Sequence, residues 1–108
     1  MELKKVGAVY CNYEQLQKTL IGRLNWHKND KKEIFYNWRI ETNLGVNFIV
    51  QKTIKNLNNK KNYFWDIFGI NAAALKKFKL HTNLTPLSIN ELNALKGGAP
   101  YQVFKSEV

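Results

Sequence analysis

The sequence predicts an α+β fold in which helices pack on one face of an antiparallel sheet, and three local patterns carry that prediction. Two alternating apolar runs flank Thr42-Asn43-Leu44-Gly45, a glycine-containing connection that signals an antiparallel hairpin. Apolar residues at helical spacing follow Asn12, and Ser88 with Glu91 forms a capping box ahead of a short helix.

Val6, Ala8 and Tyr10 alternate with Lys5, Gly7 and Val9, so residues 4–11 read as a first strand. Asn12 is a helix N-cap with Gln15 three positions on, and Tyr13, Leu16, Leu20, Ile21 and Leu24 share one face, which predicts a helix to about Trp26. The polar stretch 27–32 is a loop. In the hairpin, Ile34, Tyr36, Trp38 and Ile40 alternate with Phe35, Asn37 and Arg39, while Val46, Phe48 and Val50 alternate with Asn47, Ile49 and Gln51. Residues 55–62 hold one apolar side chain in eight and read as a solvated loop.

Tyr63 to Leu80 is helical in pattern, with Gly69-Ile70-Asn71 in the middle, and reads as a kinked helix of the core. Its stretch 64–78 also resembles a helix-turn-helix, with Gly69 ending a first helix, Asn71 capping a second and Phe64, Phe68, Ile70, Leu75 and Phe78 between them. Trp65 departs from that motif, which usually carries alanine four residues before the turn glycine. Leu87 and Leu92 are placed as a hydrophobic staple around the Ser88–Glu91 box, Gly97-Gly98 stops the helix 89–96, and Tyr101 to Lys105 reads as a last strand. The order β-α-β-β-α-α-β over residues 1–108 is compatible with a single domain of ferredoxin-like, split β-α-β kind with one sheet face open.

Charge dominates the composition: 17 Lys and Arg stand against 8 Asp and Glu, for a net charge of +9. Residues 42–90 carry seven basic side chains and one acid, Asp66, a net +6, whereas residues 1–41 carry a net +3. Such a surplus attracts phosphate backbones and releases their counterions, so nucleic acid, DNA or RNA, is the expected partner. Lys52, Lys55, Lys60, Lys61, Lys76, Lys77 and Lys79 are the expected phosphate contacts. Phe35 and Arg39, on the open face of the hairpin, are the expected base contacts, because a ring and a guanidinium stack on unpaired bases.

Two further readings stay open. A metal-independent ribonuclease needs an acid, a base and a cation around the scissile phosphate, and His27, His81 and Arg39 are the residues able to supply them. A protein-interaction module, an inhibitor or host-takeover factor acting on a nucleic-acid-processing protein, would anchor through Tyr63, Phe64 and Trp65.

Other chemistries lack their residues. One cysteine and two separate histidines offer no zinc-ligand spacing, no glycine-rich phosphate loop precedes a helix, and no cofactor is expected. Cys11 reads as a small buried apolar residue, not a catalytic thiol. The start of the chain lacks the apolar region of a secretion signal and no segment is long enough to span a bilayer, so the expected location is the cytoplasm.

Overall fold

The computed structural model describes residues 2–20, 23–28, 34–54 and 63–97. Nine elements follow in chain order: β1 (Lys4–Cys11), α1 (Tyr13–Thr19), β2 (Arg23–Lys28), β3 (Ile34–Thr42), β4 (Gly45–Ile54), β5 (Tyr63–Gly69), α2 (Ala73–Thr82), β6 (Leu87–Ser88) and α3 (Ile89–Lys96). The strands form one sheet in the order β2-β3-β4-β5-β1-β6, and every pairing is antiparallel. The α+β class with helices on the sheet is therefore what forms.

The hairpin of β3 and β4 obeys its alternation. Trp38 pairs with Val50 and Ile40 with Phe48, and all four are buried under the helices. Both capping boxes are also present. Asn12 accepts from the Gln15 amide at 2.9 Å and Ser88 from the Glu91 amide at 3.2 Å, while the Gln15 and Glu91 side chains return the bond.

Three expectations give way. The first helix stops at Thr19, and residues 23–28 form the edge strand β2, which sets Leu24 opposite Trp38. The spacing of Leu20, Ile21 and Leu24 fits a helix face, but Leu20 only caps α1 and Leu24 belongs to the strand beside β3. Gly22, poor inside a helix, was the contrary signal.

Residues 63–69 form β5, so neither the kinked core helix nor the helix-turn-helix forms in 63–80. The run alternates: Trp65 and Ile67 are fully buried, whereas Phe64, Asp66 and Phe68 are half-buried. Aromatic and β-branched residues suit a pleated surface, and period two prevails over the dense apolar spacing that also satisfies a helix. Gly69, the expected turn glycine, serves closeness instead. A Cβ there would collide with that of Ala74, so its absence lets the start of α2 pass over the end of β5. The N-cap of α2 is Ala72 and not the expected Asn71, whose side chain accepts from the Ala73 amide at 2.9 Å in the turn before the helix.

The split β-α-β order is not adopted either, because β3, β4 and β5 stand between β1 and β2. The expected strand at 101–105 lies outside the described residues.

The core sits between the sheet and helices α1 and α2. Leu16, Leu20, Ala74 and Phe78 come from the helical side, and Val9, Cys11, Trp38, Phe48, Val50, Trp65 and Ile67 from the strands. Aromatic rings dominate it. Trp38 and Trp65 lie 5.5 Å apart at 66°, Tyr13 lies 4.9 Å from Tyr36, and Phe48 meets Phe78 edge-on at 5.5 Å. The Trp65 indole donates to the Cys11 carbonyl at 3.0 Å, which satisfies its one polar atom inside the core. Helix α3 packs on β1 and β6, with Leu92 and Leu95 beside Ala8, Phe64 and Asp66, on the reverse of the sheet. Coverage from both sides is why four successive residues of β1, Val6 to Val9, are buried.

Gly7 is fixed by the same closeness. A Cβ there would strike the Leu87 carbonyl of β6 and lie 2.9 Å from a Leu75 methyl. Gly7→Ala should therefore separate β6 from β1 and lower unfolding free energy by about 2 kcal/mol or more, the scale of overpacking in a core. Urea denaturation measures it, and an unchanged midpoint would contradict the close approach.

Candidate functional site

The spacing of Ala74, Phe78 and Thr82 decides what α2 shows to solvent. These three are buried at successive turns, so Lys76, Lys77, Lys79 and Leu80 project outward. Phe78 locks this orientation through its contact with Phe48, and Thr82 closes the helix by donating to the Phe78 carbonyl at 2.9 Å. Leu80 is 88% exposed beside the lysines, and His81 is exposed as well.

The sequence contains no acid between Asp66 and Glu91, and among the described residues none of the three α2 lysines has an acidic partner. Lys79 and His81 lie in the last turn, where the helix dipole favours cations. The outer face of α2 is thus a cationic surface that no described acid compensates.

The other expected phosphate contacts are placed differently. Lys52 is half-buried and donates to the Phe64 carbonyl at 2.8 Å, so its ammonium is engaged within the sheet. Its pKa is lowered, chiefly by burial and further by Lys5, with Asp66 acting the other way. Lys55, Lys60 and Lys61 lie outside the described residues.

On the reverse face of the sheet, cations are paired. Arg39 forms an ion pair with Glu41, and Lys5 lies 3.1 Å from Asp66. Asn37 donates to the Gln51 side chain at 3.0 Å, and Ile49, expected to be open, is buried opposite Phe68. The side chain of Phe35 lies outside those described. Tyr10, Phe64 and Phe68 extend this face with half-buried rings, Tyr10 meeting Phe64 edge-on at 5.1 Å. Sequence reading missed Phe68 here because residues 63–69 looked helical; its alternation with Trp65 and Ile67 was the available signal.

The proposed catalytic trio is not brought together as far as it is described. The His81 ring stands 5.8 Å from Phe48, on the helix-covered face, while Arg39 follows the opposite parity of β3 and faces away. His27 pairs with Phe35 in the backbone register, and its side chain lies outside those described. Trp65, expected among the protein anchors, is wholly buried and cannot meet a partner; of its two companions, Phe64 is half-buried and the Tyr63 side chain is not among those described. Among the described residues no group of 3 or more His, Cys, Asp or Glu comes together as metal ligands, and no helix is long and apolar enough to cross a membrane.

Cys11 lies in the core beneath α1, and burial pushes its thiol up to about 12. The folded chain therefore favours the protonated thiol. This contribution to stability is intact below the ordinary thiol pKa and is lost as pH rises towards about 12, because the unfolded chain ionises first. At pH 8 a thiol-directed reagent should label native Cys11 about a thousandfold more slowly than the chain unfolded in guanidinium. Comparable rates in the two states would place the thiol at the surface.

No protein-family model matches the sequence, and neither the curated proteins nor the solved structures contain a match. The functional reading therefore stands on the placement of these residues alone.

Proposed function

We propose that the chain is a small cytoplasmic nucleic-acid-binding protein whose α2 lysines, Lys76, Lys77 and Lys79, contact the phosphate backbone. One observation carries the reading: three outward cations share a short helix face with no acidic partner among the described residues, in a chain of net charge +9. Cations already paired with carboxylates, such as Arg39 and Lys5, gain little from a phosphate. Unpaired ones release its counterions, which is the main driving force for binding a charged backbone.

Leu80, exposed among those lysines, favours a second reading in which α2 docks on an acidic protein surface with an apolar spot. Pull-down from nuclease-treated lysate separates the two, since a nucleic-acid target disappears on digestion.

Fluorescence anisotropy with single- and double-stranded oligonucleotides near 50 mM salt tests the main reading. Affinity should fall steeply with salt, and replacing Lys76, Lys77 and Lys79 together by alanine should flatten the log–log slope by roughly 2 to 3. Absence of binding at low salt, or a triple variant with an unchanged slope, would overturn it.

A further inference from the structure

Between α3 and the reverse of the sheet lies a cavity of about 300 Å³ walled by Ala8, Phe64, Leu92 and Leu95, with Lys5 and Asp66 at its polar side. Its volume falls at the lower end of the range of ligand pockets. The wall is mostly apolar, yet it holds a complete donor and acceptor side by side. Lys5 Nζ lies 3.1 Å from Asp66 Oδ1, and their side chains remain 43% and 39% exposed, so both heads stay open to a further bond.

These features select a ligand class. A free phosphate or carboxylate would meet the Asp66 carboxylate, and an aliphatic chain would strip water from the ion pair without replacing its bonds. A flat uncharged ring suits Phe64 on one wall and Leu92 and Leu95 on another, provided its edge carries an acceptor for Lys5 beside a donor for Asp66. Every nucleobase has such an edge.

We propose that this cavity takes a nucleobase, its ring against Phe64, Leu92 and Leu95 and its acceptor and donor on Lys5 and Asp66. The base comes either from an unpaired position in a strand or from a free nucleoside. The strand source rests on the nucleic-acid reading, whereas recognition of the base does not, because α2 lies across the sheet.

Amide NMR spectra of the ¹⁵N-labelled chain, titrated with adenosine to about 10 mM, test the site. Saturable shifts should centre on Lys5, Ala8, Phe64, Asp66, Leu92 and Leu95. 1-Methylindole, similar in size but lacking both edge groups, should bind at least tenfold more weakly. Asp66→Asn should weaken adenosine about tenfold, and Leu95→Phe, which fills the cavity, should do so independently; spectra away from the site report whether each variant is folded. A short oligodeoxyadenylate shifting the same residues identifies the strand as the source, and shifts by adenosine alone identify the free nucleoside. Replacing the three α2 lysines should leave the adenosine shifts intact, so loss of strand binding and failure of the pocket remain distinct. Absent shifts, shifts centred elsewhere, or equal binding of 1-methylindole would overturn the proposal.

Discussion

The fully buried Trp65 holds the centre of this fold together. Its ring joins β5 to Trp38 of β3 and Tyr13 of α1, and its indole N–H is tied to the Cys11 carbonyl of β1. One side chain therefore links three strands and a helix across the centre of the sheet. A large ring buried with its polar atom satisfied stabilises by several kcal/mol. It also determines what faces outward, because fixing Trp65 inward sends Phe64 and Asp66 to the reverse side by alternation.

That alternation joins the core to both surfaces considered for function. On the helix-covered side, Phe48 seats Phe78, and Phe78 turns the lysines of α2 to solvent. On the reverse side, the same strands set Asp66 beside Lys5 and leave room beneath α3. Each surface is in part the outer consequence of how the core is filled.

What could be foreseen from the sequence was what short-range chemistry decides. The strand 4–11, the hairpin and the boxes at Asn12 and Ser88 depend on neighbours within a few residues, and each forms where its residues predict. Residues 23–28 and 63–69 depend on partners farther along the chain. Leu24 and Trp65 satisfy helical spacing in isolation, and only the strands beside them, β3 for one and β1 and β4 for the other, decide for period two. The α2 lysines were foreseen as phosphate contacts, and the burial of Phe78 leaves them exposed on that helix. The neutralisation of Arg39 by Glu41 was not, since pairing along a strand at i and i+2 requires the strand's geometry and not merely its existence.

The sheet's two margins differ in a way that bears on self-association. At one, β6 contributes only Leu87 and Ser88 before the chain turns into α3, which leaves no length of backbone for another molecule to zip onto. At the other, β2 offers 6 residues bonded among the described strands only to β3, beginning and ending in the cations Arg23 and Lys28. Among the described strands, β2 is thus the margin at which crowded copies of the chain merge edge to edge, and like charge at both of its ends opposes such growth.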